Sequence, residues 1–108
     1  MIVAAVDNNE IISRTMMSQV ADYLLNIKGI EASFVIAKTA ENVVAVSARS
    51  RGVVNVQLIM EAMHGGGHFT AAALSRDDTS VAAINEELMA TIKKSTEEEN
   101  ENESNLTE

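Results

Sequence analysis

The sequence contains no cysteine, no proline and no tryptophan, and aromatic residues occupy only 3% of its 108 positions. Without thiols the fold can use neither a disulfide nor a thiolate metal site, which suits a reducing cytoplasm. With so few aromatics, the core must be packed from Ala, Val, Ile, Leu and six Met. Met17, Met60, Met63 and Met89 lie in amphipathic segments and read as packing residues. Long apolar runs are also missing. Ile2 to Val6 is far shorter than the roughly 18 residues that span a bilayer, and no basic segment precedes a signal-like stretch, so a soluble domain is expected. There is no Ser-His-Asp order, no paired catalytic carboxylate motif and no GxGxxG, so no catalytic residue is assigned.

What is present begins with a skewed charge. The formal net charge is −8, but six of the acids fall in Glu97 to Glu108, which has no Lys or Arg. The remainder, with ten acids and eight bases, is almost neutral. An acidic, polar end of this kind buries too little apolar area to offset its ordering entropy, so Glu97 to Glu108 reads as a disordered tail. Residues 1–96 read as one domain, since so short a chain supports a single core.

Within that domain the pattern alternates. Ile2 to Val6 has strand length and ends at Asp7, Asn8 and Asn9. Ser13 can cap a helix in which Met17, Val20 and Leu24 share a face, with Lys28 near its end and Gly29 as its stop. Ala32 to Lys38 and Val43 to Arg49 form an antiparallel hairpin around a four-residue loop. Asn55 can cap a short helix through Met63, whose end is marked by His64 and three glycines. Thr70 to Ser75 is a weaker strand. Ser80 can cap a last helix carrying Val81, Ile84, Leu88 and Ile92, with Lys93 and Lys94 where the helix dipole favours positive charge. The predicted fold is α/β, a small mixed β-sheet covered by helices in the order β-α-β-β-α-β-α.

Two segments could carry chemistry. Gly65-Gly66-Gly67-His68 could bring backbone N–H groups together on an anion such as phosphate, with a hydrogen bond added by the His68 ring. The same glycines could simply turn a tight corner after the helix. In Ser47-Ala48-Arg49-Ser50-Arg51, a persisting strand puts Ser47, Arg49 and Arg51 on one face and Ser50 on the other. Arg49 is then open to a phosphate contact or to a pair with a carboxylate such as Glu61. Arg51 reads as a solvated loop residue. His64 and His68 are four residues apart, but the glycines between them break a helix, so no metal site is assigned.

The run SARSRGVVNVQLIMEAMHGGGHFTAAA, Ser47 to Ala73, resembles the DHH-associated domain that follows the catalytic domain of DHH phosphoesterases, whose GGGH signature matches Gly65 to His68. Together with IEASFVIAKTAENVVAVSARS, Ile30 to Ser50, it looks most like the branch of membrane-anchored cyclic di-AMP phosphodiesterases, and the likeness extends from Ile2 to about Lys94. One departure is Ala71-Ala72-Ala73, where many relatives have Ala-Ala-Gly or a nearby Asn. The resemblance implies a substrate-binding C-terminal domain that holds an adenine dinucleotide, cyclic di-AMP or linear diadenylate. The implied contacts are Arg49, Ser50, Gly65, Gly66, Gly67 and His68. It also implies an upstream DHH domain in the same parent chain, whose Asp and His residues hold a pair of Mn ions. None of those metal motifs occurs here, so the chain alone is expected to be inactive. A strand opening almost directly after Met1 fits a domain cut at its boundary. The implied setting is a cytoplasmic domain of a membrane-anchored parent, with a homodimer as a further partner state. Two alternatives stay open: a fragment of a nanoRNA or oligonucleotide phosphoesterase, and a self-association module whose glycine turn is structural.

Overall fold

A computed structural model describes the backbone of residues 1–106 and the side chains of residues 1–97. The elements are β1 (Ile2–Ala5), α1 (Arg14–Leu24), β2 (Ala32–Ala40), β3 (Val43–Ser50), α2 (Val56–Ala62), β4 (Gly66–His68), β5 (Ala71–Asp77) and α3 (Val81–Leu106). The strands form one mixed sheet in the order β1-β2-β3-β5-β4, parallel between β1 and β2 and antiparallel elsewhere.

All three expected caps are made. Ser13 Oγ accepts from Met16 N at 3.1 Å, Asn55 Oδ1 from Leu58 N at 3.2 Å and Ser80 Oγ from Ala83 N at 3.1 Å. Each satisfies an N–H that the helix itself leaves unpaired, a contribution of about 1 kcal/mol apiece.

The helices fall on opposite faces of the sheet because strand side chains alternate. On one face Phe34 and Ile36 of β2, Val44, Val46 and Ala48 of β3, and Ala72 and Leu74 of β5 pack with Val56, Ile59, Met60 and Met63 and with Val81, Ile84 and Leu88. On the other face α1 alone lays Met17 and Ala21 on Val35, Ala37 and Ala45. Buried Ser33 donates to the α1 carbonyl of Ala21 at 2.7 Å, so this polar side chain is satisfied within the smaller core.

Several local expectations are revised. Val20 turns partly to solvent and Ala21 takes its place inside. The helix α1 stops at Leu24, before Lys28, and a run of turns follows. The β2–β3 loop is tighter than expected because β2 runs past a bulge to Ala40, which pairs with Val43. Met89 is exposed, not packed, since it falls one position beyond Leu88 and off the buried face. The helix α3 continues to Leu106, into the acidic segment expected to be disordered. Elongating a formed helix needs no new nucleus, and Glu is a good helix former. Lys93 and Lys94 therefore lie inside the helix and not at its end. The side chains of the acidic segment after Glu97, and residues 107 and 108, lie outside the described residues.

The end of α2 holds a further surprise. The residue that takes a left-handed conformation after Met63 is His64, with φ 67°, and not a glycine. His64 N donates to Glu61 O at 3.1 Å and Gly65 N to Met60 O at 2.7 Å, which closes a Schellman motif. The helix stop is thus complete before Gly66.

Arg76 ties this corner down. It hydrogen-bonds both carboxylate oxygens of Glu87 on α3, at 2.7 and 2.9 Å, and donates to the Met63 carbonyl at 2.6 Å. Hydrogen bonding to Arg76 lowers the Glu87 pKa, burial opposes that shift, and the charges of Arg76 and His64 lower the pKa further. A carboxylate whose pKa is lower in the folded state stabilises the fold above its unfolded pKa of about 4.3 and loses that contribution as pH falls through the folded value. Glu87 is 43% exposed, so solvent screening keeps the effect small. Glu87→Gln is expected to lower stability at pH 7 by about 1 kcal/mol or less, and denaturant melts should show the gap closing by pH 3. A gap of equal size at both pH values would contradict this account.

Candidate functional site

Because α1 covers only β2 and β3, the same face of β5 and β4 stays open. The register there builds a small grid from residues far apart in sequence. Arg49 pairs with Ala71, and Ala71 with His68; one row along, Ser47 pairs with Ala73, and Ala73 with Gly66. Directly paired residues share a face, so two alanines form a low floor between Arg49 and Ser47 on one side and His68 and Gly66 on the other. Arg49 and His68 stand two strands apart, about 10 Å at the usual strand spacing.

This floor lies in a shallow groove of about 220 Å³ lined by Ser18, Ser47, Arg49, Gly66, Gly67 and Ala71 to Ala73. A second depression of about 150 Å³ adjoins it, sharing Ser18, Ser47 and Ala73 and reaching Arg14. Arg14, Ser18 and Asp22 recur every four residues and so follow one side of α1 along the groove, over about 12 Å of helix. These three were not singled out in the sequence, and neither was a role for Ala71 or Ala73. Their spacing on α1 was legible, but nothing local showed which side of the helix would border an open sheet.

Each expected site residue has a definite place. Arg49 is half-buried, its Nε 3.2 Å from Asp22 Oδ1 and its NH1 2.9 Å from the Ala48 carbonyl; its carboxylate partner is Asp22 and not Glu61. Ser50 faces away from the groove, and its Oγ accepts from Gly52 N at 3.0 Å, holding the turn after β3. Arg51 is not simply solvated. Its Nε donates to Ile30 O at 3.1 Å and its NH2 reaches Leu25 O, so it fastens the α1–β2 connection.

The glycines do not form a convergent nest. Gly66, Gly67 and His68 are strand β4, added to the edge of the sheet, so the predicted element order gains one strand. In a strand, successive N–H groups point to opposite sides, and only alternate amides can serve one ligand. The tip of the β4–β5 hairpin is held by Ser50 N on Thr70 O at 2.9 Å and Val56 N on Phe69 O at 3.1 Å.

Why glycine occurs here differs by position. A Cβ on Gly65 would lie 2.7 Å from Leu74 Cβ, and one on Gly67 would lie 2.5 Å from Ala72 Cα, at a φ of +144° that side chains disfavour. Gly66 has neither constraint, and a Cβ there meets nothing within 4 Å. Gly66 also lines the groove. Gly65→Ala and Gly67→Ala are therefore expected to lose roughly 1–3 kcal/mol through overpacking and strain, whereas Gly66→Ala should stay within about 1 kcal/mol of wild type. Thermal and denaturant melts of the three variants check this division.

Among the described residues no group of three His, Cys, Asp or Glu side chains could hold a metal ion. The described residues offer no such group for the Mn pair that the resemblance implies in an upstream DHH domain. Among the described residues no helix is long and apolar enough to cross a membrane.

Comparison with known proteins places this chain in a family. Residues 1–97 match the DHHA1 domain, and the chain belongs to that family. It is 44% identical over 90 residues to the cyclic-di-AMP phosphodiesterase GdpP of Geobacillus thermodenitrificans, a match covering 83% of this chain and 14% of that protein. Over 82 residues it is 45% identical to the GdpP of Bacillus subtilis, covering 76% of this chain and 12% of the relative. A membrane protein-large ribosomal subunit bL9 fusion protein of Aster yellows witches'-broom phytoplasma is 43% identical over 86 residues, which cover 79% of this chain and 10% of that one. The chain spans no more than 14% of the length of these relatives. The resemblance read from the GGGH run and its upstream strand is borne out, and the domain is homologous to that of cyclic-di-AMP phosphodiesterases.

Proposed function

We propose that this chain is the substrate-binding domain of a cyclic di-AMP phosphodiesterase, holding an adenine dinucleotide in the groove beside α1 while a separate DHH domain supplies the metals and the chemistry. The observation that carries this reading is the row Arg49–Ala71–His68, which sets two anion-binding side chains on either side of a floor with almost no relief. A guanidinium offers fixed, permanently charged donors to a phosphate, and an imidazole adds a directed hydrogen bond. The alanines and Gly66 between them let a flat base or a sugar lie close to the sheet. Arg14 at the far end extends the positive character along the groove.

The division of labour follows from the donor inventory. Two-metal hydrolysis needs clustered carboxylates and imidazoles to fix the ions that activate water. The groove provides binding and orientation only. The purified chain incubated with Mn is therefore expected to leave cyclic di-AMP and linear diadenylate intact, as followed by chromatography. Turnover that scales with protein and survives repurification would overturn this assignment.

Binding itself is tested by calorimetric titration of cyclic di-AMP into wild type, Arg49→Ala, His68→Ala and Gly66→Ala, carried to millimolar ligand because half of the proposed site is absent. Loss of one hydrogen bond to a charged group costs about 1.5–3 kcal/mol, roughly ten- to over a hundredfold in affinity. Arg49→Ala and His68→Ala should each weaken binding by that order with melting curves close to wild type. Gly66→Ala should weaken it by filling the floor. If all three bind as wild type does, the groove is not the nucleotide site and the glycine hairpin is structural.

A further inference from the structure

Arg49 is the guanidinium that lines the groove, yet a carboxylate stands against it. Asp22 on α1 approaches Arg49 Nε at 3.2 Å, and the aspartate is 65% exposed where the arginine is 19% exposed. A second guanidinium hydrogen goes to the Ala48 carbonyl. Of the five N–H donors of an arginine, two are thus engaged and three remain for a ligand. A phosphate held by those three would sit roughly 5–7 Å from the Asp22 carboxylate, as follows from ordinary hydrogen-bond lengths on either side of a guanidinium.

We propose that Asp22 is a specificity-determining residue, which sets the groove to accept a singly charged phosphodiester and to disfavour a doubly charged terminal phosphate. This deepens the reading of the groove as a nucleotide phosphate site and rests on it. The Arg49–Asp22 pair is neutral as a unit, so the attraction of one member for an incoming anion is largely cancelled by the repulsion of the other. A phosphodiester still gains the directed hydrogen bonds of the three free N–H groups. A terminal phosphate carries about 1.5–2 negative charges at neutral pH. Its additional charge gains little from the neutral pair, while its desolvation costs more. Hydrolysis of a phosphodiester adds water across one P–O ester bond and leaves a terminal phosphate and a free hydroxyl, so a groove tuned in this way retains the substrate form and releases the product form. Arg14, at the other end of α1, and His68, across the floor, are the further groups on this face that act on the ligand's charge. Neither is altered in the test.

The minimal probe pair is adenosine 5′-monophosphate and its phosphate methyl ester, which share a base and a sugar and differ by the charge on phosphorus. Each is titrated into the full chain as wild type, Asp22→Asn and Arg49→Ala, following the amide resonances of Gly65 to Gly67 and Ala71 to Ala73. One charge at such a distance near a protein surface is worth roughly three- to tenfold in affinity at low salt. Wild type should bind the methyl ester at least as tightly as the monophosphate. Asp22→Asn should tighten the monophosphate roughly three- to tenfold more than it tightens the ester, and the difference should shrink at high salt. An unchanged ratio overturns the proposal, as does an equal weakening of both ligands, which would make Asp22 only a positioning residue for Arg49. If neither probe moves those resonances in wild type, or Arg49→Ala binds as wild type does, the groove assignment itself falls and the proposal with it. Asp22→Ser serves as a second variant, and melting curves establish that both are folded.

Discussion

The alternation of side chains along β3 is the constraint on which both the core and the groove depend. Val44, Val46 and Ala48 enter the larger core under α2 and α3, while Ala45, Ser47 and Arg49 face α1. Both faces of one strand are thus committed at once, and a slip of a single residue would put Arg49 in the buried place of Ala48 and Ser47 in that of Val46. The register is overdetermined by burial. That is why a partly buried guanidinium can be held in one place at the sheet surface, with Asp22 and the Ala48 carbonyl taking up two of its donors.

The groove arises from an imbalance between the two faces. Two helices cover one side of the sheet and one short helix covers the other, so β5 and β4 keep an uncovered surface of Ala71, Ala73 and Gly66. Large side chains on that surface would have required a further helix to bury them. Small ones leave a floor that backbone and ligand can approach. The glycines divide accordingly: Gly65 and Gly67 permit β4 to lie close against β5, and only Gly66 is free of that duty. The corner that a glycine run suggests is already made by His64 in its left-handed conformation and is secured by Arg76 between α2 and α3.

Membership of the DHHA1 family and the geometry of this face support each other without being the same statement. The family match covers residues 1–97 and says what the domain is homologous to. The in-line row of Arg49, Ala71 and His68 is a property of this chain's own register, and it draws together two segments that the GGGH signature and the strand before it mark separately.

The amino-acid sequence by itself determined the elements whose signals are local. Ser13, Asn55 and Ser80 announced the three helix starts because a cap needs only a side-chain oxygen and the next turn of backbone. The β2–β3 hairpin was legible from two β-rich runs with a short polar gap, and the family from a contiguous motif. The strand β4 was not legible, since three glycines followed by His carry no strand propensity, and pairing with β5 rather than local preference makes them extended. Nor were the partner of Arg49 or the tethering role of Arg51, each of which depends on where another element comes to rest. Only the tertiary structure decided that Arg49 and His68 share one face across β5, because a site between strands is set by register and by which face the helices leave bare, and neither quantity is written in any single segment.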